Sequence, residues 1–285
     1  MKLRVGVVGL GNAWENRHRP ALRALSDRFE VRAFCEQVAH RAEQAAREFG
    51  ATAVDGFRAL ARREDIDAIL MLSRQWYGAL PIFAACDAGK AIYCATGFDL
   101  DPAQARHIRQ RVYESGVAFM AEFSRRQAPA TLRLKELIAT RLGQPRLLFC
   151  HLRVPVKDAP AGPAAANWQR GPVNDLIELV DWCSYVVGQP PTSVIGLSHR
   201  AVSEPSSFDY EMMSLDFSPP GQWGAGAVAQ ISSGRYMPNS WPEAVSFRPP
   251  AALQVACEHG IAFIDLPSTL VWFDRAGRHM ESLEN

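Results

Sequence analysis

Two patterns of apolar and polar positions divide the chain. Up to about residue 123, short and almost uniformly apolar runs alternate with longer stretches whose apolar residues recur at helical spacing. Leu3–Val8 (LRVGVV), residues 30–35 (EVRAFC), Ala68–Ser73 (AILMLS), Ala91–Cys94 (AIYC) and Val117–Glu122 read as strands covered on both faces. Helical patterns lie between them. One begins behind Gly11 and runs through Leu25, a second spans His40–Phe49 and closes at Gly50, a third spans Gly78–Ala88, and a fourth spans Pro102–Ser115 and stops at Gly116. Strands alternating with helices in this way predict a parallel, doubly wound sheet.

Beyond residue 123 the texture changes. Pro129–Leu142 reads as a helix with Leu132, Leu134, Leu137, Ile138 and Leu142 at its apolar positions, followed by a strand over Arg146–Val154. A Pro/Ala/Gly-rich loop (VKDAPAGPAAANWQRGP) leads into a helix from Asn174 to about Val187. Then come extended runs separated by turns: SVIGLSH, YEMMSLDFS, AVAQISSGRY, ALQVACEH, IAFIDLP and TLVWFD. The expected fold is α/β: a doubly wound parallel domain over 1–123, then an α+β domain over 124–285 with a large, mostly antiparallel sheet.

Charge narrows the partners. The 285 residues carry 31 basic and 30 acidic side chains, which gives no reason to expect a nucleic acid or an anionic membrane as partner. No apolar run approaches a membrane span, and the one in MKLRVGVVGLG is too short for a secretion signal, so a cytoplasmic protein is expected. The six cysteines include no C-x-x-C and no zinc-like spacing with histidine. Most sit in apolar runs, as buried thiols in a reducing compartment would; no metal is expected.

The first chemical signal is Gly9-Leu10-Gly11, directly behind a strand and ahead of a helix. The first glycine permits a tight turn, the second lets a pyrophosphate approach the backbone, and the helix N-terminus favours its charge. Trp14 stands where a third glycine of G-x-G-x-x-G would be. Glu36, at the end of the second strand, can accept hydrogen bonds from an adenosine ribose and repel a 2′-phosphate, which favours NAD over NADP, although Arg41 lies close behind. The plainer alternative is a tight turn with a surface glutamate.

VGVVGLGNAW, REDIDAILMLS, AACDAGKAIYC, EFSRRQAP, GPVNDLIELVDW and VVGQPP follow one another in the order and spacing of a known family. The chain resembles the GFO/IDH/MocA family of glucose–fructose oxidoreductase and inositol dehydrogenase. The resemblance implies a Rossmann domain joined to an open antiparallel sheet, hydride transfer on sugars or polyols, and homo-oligomers that pair through the sheet. It also implies a cofactor site at Gly9, Gly11, Asn12, Ala13, Trp14, Glu36, Ser73, Arg74 and Cys94.

The catalytic positions depart from that pattern. Where the family usually has C-E-K-P, this chain has Cys94-Ala95-Thr96-Gly97, and the lysine position is Thr96. Where it usually has D-x-G-x-H-x-x-D, the register gives Asn174-x-Leu176-x-Glu178-x-x-Asp181, with Glu178 at the histidine. An upstream family histidine corresponds to Gly78. Removing a hydride from an alcohol requires a base near the departing proton, and a threonine hydroxyl cannot serve. Glu178 is the candidate base, on one helix face with Asp181, while Asp181, Asn174 and Thr96 orient hydroxyls. A glutamate that merely pairs with an arginine is the competing reading.

Trp168, Arg170, His151 and Tyr236 are candidate substrate contacts. Arg125 or Arg126 is expected either to touch nicotinamide or a substrate carboxylate, or to form a structural ion pair. The chain ends at RHMESLEN, where family members usually continue into helices that pack on the first domain; oligomerisation is expected to cover the surface this leaves. Three functions are compatible with the residues: an NAD-dependent oxidoreductase, a non-catalytic relative that binds NAD or a sugar, and a glycosidase using transient oxidation.

Overall fold

A computed structural model describes residues 2–72, 77–95, 102–156, 172–200, 209–238, 243 and 251–283, with the backbone alone at 154–156, 172–175, 200, 209 and 235–238. Internal contacts divide the chain into Met1–Glu122 and Phe123–Asn285.

In the first unit, β1 (Leu3–Val8), β2 (Phe29–Cys35), β3 (Thr52–Ala53), β4 (Ala68–Met71), β5 (Ala91–Cys94) and β6 (Phe119–Ala121) form a sheet in the order β3-β2-β1-β4-β5-β6. Every pairing is parallel. This is the doubly wound order in which ligands lie at the carboxyl ends of the strands. The helices are α1 (Arg19–Ala24), α2 (Ala39–Phe49), α3 (Phe57–Ala61), α4 (Leu80–Asp87) and α5 (Pro102–Ser115). Gly50 closes α2 in the left-handed region, with φ 65°. Gly6 lets α3 approach β1 closely, since a Cβ there would lie 2.6 Å from Leu60 Cδ2. The five-residue α3 escapes the sequence pattern because it is too short to show a period.

A π-turn over Trp14–His18 precedes α1. Such a turn winds one additional residue into a helix. Trp14 is 2% exposed and packs against Phe34 and Phe49, with ring centroids 5.2 and 5.4 Å away. The bulk that replaces a third glycine is therefore taken up by the core.

The second unit contains α6 (Ser124–Gln127), α7 (Pro129–Leu137) running into a π-turn over Ile138–Leu142, and α8 (Pro172–Val187). Its strands are β7 (Pro145–Val156), β8 (Ser193–Arg200), β9 (Asp209–Asp216), β10 (Val228–Pro238), β11 (Leu253–Cys257), β12 (Ile261–Asp265), β13 (Thr269–Asp274) and β14 (Gly277–Ser282). They form one sheet in the order β14-β13-β12-β11-β7-β10-β9-β8. All pairs are antiparallel except β7 with β10. The helices cover one face, where Leu134, Leu179, Trp182 and Val186 meet Leu148, Cys150, Ile231 and Val255. The buried Trp182 indole donates to Thr131 Oγ1 at 2.9 Å, so the core keeps its polar atom satisfied. Strand β14, unmarked in the sequence pattern, is a largely polar edge strand held by main-chain pairing to β13.

None of the six cysteines is in a disulfide, and five of them are buried. Among the described residues no helix is long and apolar enough to cross a membrane.

Candidate active site

At the carboxyl end of β1 the chain turns through Gly9, whose φ of 90° is readily adopted only by glycine. The Gly9 N–H donates to Cys35 O at 2.9 Å, tying the turn to the end of β2. A Cβ on Gly11 would meet nothing within 4 Å, so the space above the turn is open to a ligand. Glu36 follows β2 directly: its Oε2 accepts the Leu10 N–H at 2.5 Å, and its Oε1 accepts the Gln37 N–H at 2.8 Å. Arg41 donates to the Leu10 carbonyl. An open glycine turn with a carboxylate beside it suits a dinucleotide, with Gly9, Gly11 and Glu36 as its holders.

Asn12 and Ala13 lie in the helical segment just behind the turn, partly or fully exposed. Two of the expected cofactor contacts are restricted by burial. The side chains of Trp14 and Cys94, 2% and 0% exposed, point into the two cores flanking the sheet, which leaves only their backbone to a cofactor. Ser73, Arg74 and Thr96 lie outside the described residues.

The same carboxyl edge carries a polar cluster that the pattern did not reveal. The Glu122 N–H, just past β6, donates to Cys94 O at 2.8 Å. Its carboxylate accepts from Arg17 Nη2 at 3.0 Å and stands 3.5 Å from His18 Nε2. Burial pushes the Glu122 carboxyl up, but His18 and Arg17 outweigh it and hold it below its ordinary range. Burial, then Glu122, pushes the Tyr93 hydroxyl well above its own. Only the fold brings together residues so far apart in sequence.

In the second unit, α8 presents Glu178 and Asp181 to the two arginines of α6. Arg125 Nε donates to Glu178 Oε2 at 3.3 Å, while its guanidinium lies over the Trp182 ring at 5.4 Å. Arg126 grips Asp181 with two donors, Nε at 2.6 Å and Nη2, and lies over Phe123 and Tyr185. The carboxylates share a helix face as expected, yet each answers to its own arginine rather than to the other. Glu178 is 41% exposed and loosely held, whereas Asp181 is 10% exposed and held twice. Of the two, Glu178 is the more accessible from solvent.

His151 is not near them. Cys150 and Leu152 on β7 pack toward the helices, so His151, between them, faces the opposite side of the sheet from α8. Its Nδ1 lies 2.7 Å from Ser232 Oγ, and burial, then Arg153, lowers its pKa. Trp168 and Arg170 lie outside the described residues; of Asn174 and Tyr236 only the backbone is described, on α8 and β10. Among the described residues no group of three or more His, Cys, Asp or Glu is arranged to hold a metal.

Residues 3–123 match the family model described as the GFO_IDH_MocA oxidoreductase family, NAD-binding Rossmann fold. The curated dTDP-3,4-didehydro-2,6-dideoxy-alpha-D-glucose 3-reductase of Actinomadura kijaniata is 31% identical over 126 residues, 42% of this chain and 36% of that protein. The chain thus aligns with well under half of that relative's length. The structure of UDP-N-acetylglucosamine 3-dehydrogenase GnnA from Acidithiobacillus ferrooxidans superposes with TM-score 0.76 at 20% identity, covering 100% of this chain and 84% of that one. Biliverdin reductase from Synechocystis sp. PCC 6803, solved with biliverdin and NADP+, gives 0.72 at 17% identity, covering 99% and 85%. At such identities the two structures share the fold.

Proposed function

We propose, from the premise that this chain belongs to the GFO/IDH/MocA family through the NAD-binding domain at residues 3–123, that it is an NAD-dependent oxidoreductase of a sugar-like or polyol substrate. The observation that carries the reading is the open glycine turn at Gly9 and Gly11 with the Glu36 carboxylate at its side. A bound nicotinamide supplies the hydride chemistry. The backbone at Gly9 and Gly11 binds the pyrophosphate, Glu36 accepts ribose hydroxyls, and its charge opposes a 2′-phosphate. Glu178 accepts the proton of the reacting hydroxyl; Asp181, fixed by Arg126, positions α8, and Thr96 and Asn174 orient the substrate. Trp168, Arg170 and Tyr236 remain candidate substrate contacts. The sugar-directed names of two relatives support the substrate class, while biliverdin reductase illustrates that one fold hosts other substrates.

One observation favours a second reading, a non-catalytic relative that binds NAD or a sugar: Glu178 already has a partner in Arg125. Incubating the protein with NAD and a panel of sugars and polyols, and following reduced-cofactor absorbance, separates the two. Turnover supports the enzyme; a flat panel with measurable NAD binding supports the binding module.

The sheet face opposite the helices supports self-association, because Leu147, Ile195, Leu197, Phe273 and Met280 expose 39% to 72% of their surface there. A clean monomer in sedimentation at micromolar concentration would overturn that. Cysteines outside any disulfide fit a reducing compartment such as the cytoplasm.

A further inference from the structure

Two charged side chains hold the backbone of one residue, Glu36 at its N–H and Arg41 at its carbonyl. Leu10 is the middle residue of the glycine turn, and its side chain is anchored in the core at 2% exposure. Its N–H is held by Glu36 Oε2, and its carbonyl accepts from Arg41 Nη2 in the first turn of α2. Neither flanking glycine has a side chain to restrain the turn, and glycine loses the most freedom on ordering. The other charged groups beside Arg41 are engaged with one another: Arg19 pairs with Glu15 at 2.7 Å and with Glu48 at 2.6 Å, and Arg23 also holds Glu48.

An arginine a few residues past the acidic position is ordinarily taken as a reader of the 2′-phosphate of NADP. Here its guanidinium reaches the main chain of the turn instead. We infer that Arg41 is a positioning residue: with Glu36 it clamps the two successive peptide groups that meet at Leu10 and presets the turn for a pyrophosphate. It thereby sets affinity for the dinucleotide without discriminating NAD from NADP. The inference rests on the dinucleotide-binding reading above.

Calorimetric titration of NAD into wild type, Arg41→Met and Arg41→Lys tests it, together with hydrogen exchange of the peptide containing Leu10 in the cofactor-free protein. Arg41→Met is expected to weaken NAD about tenfold, the loss of one charge-assisted hydrogen bond. NADP weakens by the same factor where its binding is measurable, exchange at Leu10 speeds up, and Arg41→Lys restores part of each. A 2′-phosphate reader would leave the NAD affinity alone, so an unchanged NAD Kd or a selective loss of NADP overturns the inference. If wild type binds neither cofactor, the oxidoreductase reading falls by itself. The clamp is then judged on exchange, and unaltered Leu10 exchange in both variants overturns it.

Discussion

Replacing Glu178 with glutamine removes a charge and keeps the shape, so it separates proton transfer from folding. The carboxylate is 41% exposed and, among the described residues, receives one bond, from Arg125 Nε at 3.3 Å. An ion pair that exposed contributes little, so the change in stability should stay within about 0.5 kcal/mol. For a unit of this size that is a melting shift of about 2 °C or less. Arg125 keeps its contact with the Trp182 ring, which limits the loss further. Activity should respond on another scale. A positioned general base contributes roughly 100- to 10,000-fold, so turnover should fall by at least about two orders of magnitude. The assay is reduced-cofactor absorbance on whichever panel substrate wild type oxidises, with NAD affinity and melting temperature measured on the same preparation. Loss of turnover with NAD affinity and melting intact is the expected result. Glu178→Gln turning over at the wild-type rate would refute the assignment and leave Glu178 as the ion-pair partner of Arg125.

Asp181→Asn should behave in the opposite way. It breaks a mostly buried carboxylate away from a two-donor arginine, so a loss of about 1–3 kcal/mol is expected, read by chemical denaturation. Gly11→Val should leave the melting temperature nearly unchanged, because its side chain enters open space, yet weaken NAD at least about tenfold by filling the pyrophosphate's approach. Asp67 is held down at about 2, against its ordinary 3.8, by the hydrogen bond from the Arg4 side chain and then the Arg4 N–H. A carboxyl depressed in the folded state adds stability above its unfolded value and loses it as pH falls toward the folded one. Asp67→Asn should therefore flatten the melting profile between about pH 4 and pH 2; an acid limb as steep as wild type would contradict the pairing.

Much of this was legible along the chain because it is local. Strands covered on both faces read as uniform apolar runs, which is why β1, β4 and β5 stood out, and a positive-φ glycine at a strand end reads as a turn. Helix ends at Gly50 and Gly116 followed from the chemistry of glycine. Glu36 was placed beside the turn by spacing alone. Elements with weak local signals were lost: α3 has too few residues for a period, and β14 has few apolar ones, so only its pairing with β13 defines it.

What only the tertiary structure decided were contacts between residues far apart in the chain. Whether Glu178 meets Asp181 or an arginine depends on where α6 lies against α8, and no helical period encodes that. His151 faces away from α8 because strand alternation is anchored by Cys150 and Leu152, whose side depends on what covers the sheet. Trp14 stands where a third glycine was sought, and packing against Phe34 and Phe49 draws it into the core. Periodicity settles what each segment prefers to bury, whereas topology settles which charges must face one another once it is buried.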